Sequence, residues 1–224
     1  MPSIGASSKI KGVTTSRTHH FLSENETTFF YLVDFCDSIS DIREQFPLLP
    51  LDLSLKIAKT LDYRHPKVPG TDTLNIFTTD FLLTVSDGSK TCFEAVSVKP
   101  HLNIGEQNVA KKLEIERLWW NIQNIEFHIF IPNHKNKIQS KNIQWFTMKL
   151  RDGIKIPEEL ISETLKLIIP GVHIIDDIVN KIARNQSLDK YYAMYVFKYM
   201  VAKKLMKVNM DLPIVEQGVV EIFH

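Results

Sequence analysis

The sequence has only two cysteines, Cys36 and Cys92, far apart and in no paired spacing. That excludes a disulfide framework and a cysteine-based zinc motif, and points to a reducing, cytoplasmic setting. No uncharged apolar run approaches the roughly 20 residues that a membrane span requires, so no membrane partner is expected. The opening MPSIGASSKIKG lacks the apolar stretch of a secretory leader. Neither HExxH nor HxH occurs, which disfavours zinc hydrolysis and histidine-based nickases. A GxxxxGK[ST] phosphate loop is missing as well. Internal repeats and low-complexity tracts are absent. Net charge is nearly absent too: 27 Lys and Arg face 26 Asp and Glu, giving +1 at pH 7.

What is present is an ordinary globular composition, with 224 residues, 44% hydrophobic and 24% charged, which excludes a disordered or fibrous chain. This length suits one domain of roughly 150 residues and a smaller one. Such a chain buries about 70% of its unfolded surface and needs no structural metal. The charge is unevenly spread. Residues 1–23 carry Lys9, Lys11 and Arg17 and no acid. Residues 181–210 carry Lys181, Arg184, Lys190, Lys198, Lys203, Lys204 and Lys207 against Asp189, a local net of +6. Acids gather in the middle. Two basic patches around an acidic centre suit a polyanion held for metal chemistry, or simply two solvated faces.

Residues 1–18 read as a basic N-terminal arm. Ser23 and Glu26 have the spacing of a capping box, and Phe29 to Cys36 continue at helical period. Residues 42–48 read as an edge strand ending at Pro47, and Leu53–Leu61 as a helix. Residues 74–85 and 91–99 read as strands joined by a Ser86-Asp87-Gly88-Ser89 turn. A helix over 104–123 and a strand over 126–131 follow. The fold class expected over 19–147 is α/β, a mixed sheet flanked by helices, with the polar stretch 133–147 as a connector. Helical patterns at 157–168, 174–184 and 188–201 and a β-like pair near 204–222 suggest a small winged-helix-like domain over 148–224. Its Tyr191, Tyr192, Lys198, Tyr199, Lys203 and Lys204 suit stacking and phosphate contacts, or a small helical core.

The chemistry-bearing pair is Asp80 in one strand and Lys99, 19 residues later, near the end of the next. A hairpin of that spacing brings both to one sheet edge. Strand alternation puts Ser97 on the same side as Lys99, with Glu94, Val96 and Val98 opposite. Glu26, from the Ser23 helix, adds a carboxylate. Hard oxygen ligands of this kind suit Mg²⁺ or Mn²⁺. Two carboxylates and a lysine suit phosphodiester hydrolysis. The same acid and lysine could equally form a surface cross-strand ion pair.

Several short motifs in order decide between these readings: HHFLSENE at 19–26, DIREQFPLL at 41–49, His65-Pro66, TTDF at 78–81, EAVSVK at 94–99 and KKLEIERLWW at 111–120. Together they resemble the TnsA family, the endonuclease subunits of heteromeric cut-and-paste transposases. The resemblance implies a PD-(D/E)xK, restriction-endonuclease-like core and Mg²⁺-dependent cutting (Mn²⁺ in vitro, two ions) of the 5′ strands at transposon ends. It implies a TnsB-like transposase for the 3′ strands, a TnsC-like AAA+ ATPase regulator, double-stranded DNA as substrate, and a nucleoid-associated protein. Glu26, Asp80 and Lys99 then look like the catalytic residues, with Glu24 the competitor for the helix position. Metal ligands would be Glu26, Asp80, Ser97 and the Val98 carbonyl. Ser97 departs from the Gln, Glu or Asp usual two positions before the lysine, and would reach a metal through water. Lys111, Lys112, Arg117, Lys190, Lys198, Lys203 and Lys204 are the DNA-binding candidates. Glu114 and Glu116 read as solvent-facing, Trp119 and Trp120 as packing, and Gln45 with Phe46 and Pro47 as fold-defining. Histidines 19 and 20 read as loop residues. The alternatives are another nuclease of the same superfamily and a DNA-binding assembly subunit.

Overall fold

Ser23 starts the first helix as its spacing predicts: its hydroxyl accepts the Glu26 backbone N–H, and helix α1 runs Glu24–Asp34. The computed structural model describes residues 7–100 and 106–223, which divide between two units, Met1–Pro132 and Asn133–His224.

In the first unit, strands β1 (Ser8–Lys11) and β2 (Thr18–Phe21) precede α1 and pair antiparallel. They are followed by β3 (Ile39–Pro47), α2 (Leu51–Thr60), β4 (Thr78–Ser86), β5 (Thr91–Val98), α3 (Gln107–Ile122) and β6 (Glu126–Phe130). The sheet order is β3-β4-β5-β6. The first three strands are antiparallel, and β6 joins β5 in parallel through the α3 crossover.

Strand alternation gives each sheet face its own core. Phe81, Leu83, Val96 and Val98 meet Phe21, Phe29 and Phe30 on one side. Leu82 and Ala95 meet Ile57, Ala58, Ile115, Trp119 and Trp120 on the other. Phe30, Phe81 and Trp120 are almost wholly buried, each stabilising the fold by roughly 2–3 kcal/mol. Trp119 and Trp120 are thus packing residues, as expected.

Residues 8–18 depart from the expected arm. Buried Asp34 accounts for this, because its carboxylate accepts the Val13 and Thr14 backbone N–H groups at 3.0–3.1 Å. Those bonds fasten the β1–β2 connection to the end of α1. Residues 1–6 of the expected arm, and 104–105 of the expected helix, lie outside the described residues.

The second unit comprises α4 (His134–Arg151), α5 (Glu158–Leu167), β7 (Gly171–Ile174), α6 (Ile175–Asn185), α7 (Lys190–Ala202), β8 (Lys207–Val208), α8 (Ile214–Gln217) and β9 (Val219–Phe223). Its sheet order is β7-β9-β8, all antiparallel. One core joins Phe146 of α4, Ile178, Val179 and Ile182 of α6, and Val196, Phe197 and Met200 of α7. Gly218 takes a left-handed φ of 66° to turn α8 into β9.

The supposed connector 133–147 is the largest correction: it forms most of α4 and opens the second unit. Asn133 caps it in a reciprocal box with Asn136. Lys and Gln are good helix formers whatever their polarity. Ile143 and Phe146 supply the buried side. The boundary expected at 148 therefore moves to 133. Helices α5–α7 and the β8–β9 pair fall where the sequence places them, while β7 is an addition.

Candidate active site at the β4–β5 hairpin

The β4–β5 register pairs Phe81 with Val96, and Asp80 lies one step beyond it, beside the end of β5. Its Oδ2 accepts the Lys99 ammonium at 2.8 Å and the Val98 backbone N–H at 2.7 Å. Lys99 Nζ also donates to the Val98 carbonyl at 3.1 Å and to Ser97 Oγ at 3.3 Å. The lysine and aspartate side chains are 16% and 15% exposed, so solvent reaches the pair but screens it less than a surface ion pair.

Glu26 stands beside them on the first turn of α1 and is buried, whereas Glu24 is exposed. That difference favours Glu26 as the helix-borne carboxylate. Its Oε1 accepts Ser23 Oγ–H at 2.8 Å. Oε2 accepts the Leu22 N–H at 3.0 Å and the Gln45 amide at 3.4 Å. Burial pushes its pKa above the ordinary carboxylate value, opposed by the Leu22 and Ser23 hydrogen bonds. The negative charge of Asp80 pushes it further up, and Lys99 pulls it down.

Glu116 corrects the solvent-facing expectation. Glu114 does make the exposed i,i+3 pair with Arg117, at 2.6 Å. Glu116 is fully buried on α3. Its Oε2 accepts Ser97 Oγ–H at 2.7 Å and Thr79 Oγ–H at 3.1 Å, and Thr79 in turn accepts the Trp120 indole N–H at 2.8 Å. Its Oε1 is buried with no hydrogen-bond partner. Burial raises its pKa, against the pull of Lys112 and Lys99. A chain of hydrogen bonds thus runs from the helix through Ser97 to Lys99. One sequence signal foreshadows this: Glu116 falls in the stripe of Leu113 and Trp120 at i, i+3, i+7 spacing.

The donor types suit a hard divalent cation: the carboxylates of Asp80 and Glu26, the Val98 carbonyl and the orphaned Glu116 oxygen. No three His, Cys, Asp or Glu among the described residues are grouped closely enough to hold an ion by themselves. Mg²⁺ does not demand that, since it commonly keeps waters and substrate phosphates with one or two carboxylates. Ser97 is fully buried and its proton is committed to Glu116, so it serves Lys99 from behind the site.

The DNA-binding candidates are scattered in their roles. Lys111 donates to the Asp62 carbonyl at 2.9 Å, Lys112 lies 5.9 Å from the Phe77 ring centroid, and Arg117 is held by Glu114. In the second unit Lys190 pairs with Asp176 at 3.1 Å, and Lys203 is exposed. Lys204 sits at a left-handed φ of 57°. Lys198 lies 3.7 Å from the Trp145 ring centroid, and burial lowers its pKa to about 8. Tyr191 is 92% exposed.

Neither histidine is a loop residue: both lie in β2, where His20 is exposed. His19 is fully buried, hydrogen-bonded to Glu44 at 2.8 Å and to Thr15 at 2.7 Å. Burial lowers its pKa, against the Glu44 hydrogen bond. Arg17 donates to both Glu44 oxygens and to the Ile42 carbonyl. Burial disfavours the Glu44 carboxylate, yet these hydrogen bonds hold its pKa at about 2.

An acid and a lysine at the end of a hairpin in a mixed, helix-flanked sheet place the first unit in the nuclease-like α/β class. Much of this unit is similar to the TnsA family. Residues 36–131 match the family described as TnsA-like endonuclease N terminal. The transposon Tn7 transposition protein TnsA of Escherichia coli is 35% identical over 178 residues, which are 79% of this chain and 61% of that protein. The chain therefore matches about three-fifths of that relative's length. Asp80, Ser97, Lys99 and Glu116 lie within the matched family span, and Glu26 precedes it. No helix among the described residues is long and apolar enough to cross a membrane.

Proposed function

We propose that this chain is a metal-dependent endonuclease that cuts the 5′ strands at transposon ends. A TnsB-like transposase would cut the 3′ strands, under a TnsC-like ATPase. The observation that carries the reading is the Asp80–Lys99 contact at 2.8 Å beside buried Glu26, in a chain related to a transposition protein. Asp80, Glu26 and the Val98 carbonyl would hold Mg²⁺ or Mn²⁺. When bound, such an ion polarises the scissile phosphate and lowers the pKa of water.

The protein's own residues do the rest. Lys99 Nζ, fixed by Ser97 and the Val98 carbonyl, would turn the N–H it now gives Asp80 toward charge developing on the phosphate. Ser97 and Glu116 keep that ammonium from swinging into solvent. Glu26 in its carboxylate form accepts a hydrogen bond from an attacking water.

The second unit, read as winged-helix-like, would bring Lys190, Lys203 and Lys204 to the DNA backbone. K203E/K204E should weaken end binding and its salt dependence while sparing metal binding. Equal binding at moderate salt would remove that module from the account.

The test is strand-specific cleavage of labelled transposon-end DNA with Mg²⁺ or Mn²⁺, alone and with the transposase, beside D80A. A 5′-strand cut that needs Asp80 and the partner supports the proposal. Cutting of unrelated DNA without a partner favours a restriction or repair nuclease. Binding without cutting leaves an assembly subunit. A Mn²⁺ titration of the same protein reads the number of ions, two by the family resemblance.

A further inference from the structure

Gln45 is held out of ordinary strand conformation. It lies within β3 yet has φ of 50°, a left-handed backbone that glutamine seldom adopts. The antiparallel pairs Glu44↔Phe81 and Phe46↔Thr79 bracket it, so Gln45 stands opposite Asp80. Its Oε1 accepts the Thr78 hydroxyl at 3.2 Å, and its Nε2 donates to Glu26 Oε2 at 3.4 Å. Both neighbours are anchored. Glu44 is clamped by Arg17 and His19, and Phe46 packs against Trp120 with ring centroids 5.5 Å apart. Strained backbone persists where its surroundings over-determine it, and such positions gather at functional sites.

The hydrogen bonds to Glu26 differ in what they fix. Leu22 and Ser23 belong to the segment that carries Glu26, so they set its rotamer relative to α1. Among the hydrogen bonds described for this carboxylate, the Gln45 amide alone ties it to the sheet that carries Asp80. We propose that Gln45 is a positioning residue of the centre. Its carboxamide, anchored to Thr78 on β4, sets the Glu26 carboxylate against Asp80. This goes beyond a fold-defining role for the EQFP stretch, and it rests on the reading of Glu26 and Asp80 as a metal-holding pair.

The test compares full-length Q45G, E26Q and Q45G/E26Q with the parent, using urea unfolding and Mn²⁺ binding followed by electron paramagnetic resonance. Glycine relaxes the left-handed backbone while deleting the carboxamide. The urea midpoint of Q45G should therefore match or exceed the parent's, while its Mn²⁺ affinity falls at least fivefold. The double variant should bind Mn²⁺ no more weakly than E26Q alone. If Q45G binds Mn²⁺ as the parent does while E26Q binds it weakly, the inference is overturned and the metal reading stands. If the parent binds no Mn²⁺, the metal reading falls. The inference is then decided by the metal-free midpoints, where additive effects of Q45G and E26Q sink it and coupled effects uphold it. Should Q45G fail to fold, Q45N, which also tolerates left-handed φ, replaces it in every comparison.

Discussion

The two units bury polar side chains to different ends. In the second unit most of the buried groups with described bonds serve the backbone, although the Nε of buried Arg151 donates to Thr147 Oγ at 3.2 Å. Asn142 donates to the Met210 and Leu212 carbonyls, Thr147 to Ile143, and Thr164 to Leu160. In the first unit Asp34 and Ser54 also serve the backbone, but Glu26, His19 and Glu116 are buried ionisable groups whose partners are mostly side chains. Burying a carboxylate is costly unless it is well paired, and a fold has cheaper ways to pack a sheet. The first unit therefore buries carboxylates beside Asp80 and Lys99, and the second buries polar groups chiefly against its own helix and loop carbonyls.

Substitutions can break that distinction. The largest expected effect is in the first unit. D80A should lower cleavage by about a thousandfold or more, while the folded state persists because the removed carboxylate lies in a solvent-reached site. Wild-type cutting by D80A would misplace the centre. Next, E116Q should reduce cleavage roughly tenfold or more through Lys99, yet leave stability unchanged or improved, since it removes a buried charge.

The pH dependence sharpens this second case. Burial raises the pKa of Glu116, so the folded state binds its proton more tightly than the unfolded chain does. Stability from this group falls as pH rises above the unfolded carboxylate value of 4.5 through the raised folded value. Melting curves between pH 5 and 8 should show that fall in the parent and a flatter trace in E116Q. An equal slope in both would return Glu116 to an ordinary structural role.

In the second unit N142A should do the reverse, costing about 1–3 kcal/mol by stranding two carbonyls while leaving Mn²⁺ binding intact. Loss of Mn²⁺ binding in N142A would undo the division between the units. The smallest effect concerns a contribution that acid removes. Glu44 is held at about pKa 2, so its contribution is complete above pH 4.5 and lost as pH falls toward 2. R17A should therefore destabilise the fold modestly at pH 7 and change little near pH 2, so that stability falls less across the acid range, as acid titration of the fold would show.

Legibility followed the strength of local signals. The β4–β5 hairpin was readable because alternation and an Asp87-Gly88 turn agree, and α5–α7 because apolar residues recur at helical period. Helix α4 was hidden by a run of Lys, Asn and Gln. Polarity alone suggests a loop there, although a helix needs only a narrow apolar stripe when its partner supplies the rest of the core. Asp80 and Lys99 were recoverable from hairpin spacing, and Glu26 from the capping pattern and the resemblance. Glu116 was not, because an i,i+3 Glu114–Arg117 pair next to it suggested a wet face. The backbone of Gln45 leaves no trace in sequence, since its φ is set by flanking contacts to Arg17, His19 and Trp120.

The hairpin also orders the assembly of the centre in time. Asp80 and Lys99 meet across a loop of only four residues, Asp87 to Lys90, so their encounter is local and its closure entropy small. Glu26 comes from far earlier in the chain, on a helix whose Phe29 and Phe30 pack against the sheet. Contact order alone would let a refolding chain pair the acid and lysine before Glu26 is seated against them. The arrangement of Glu26, Asp80 and Lys99 would then be completed with the α1 side of the core.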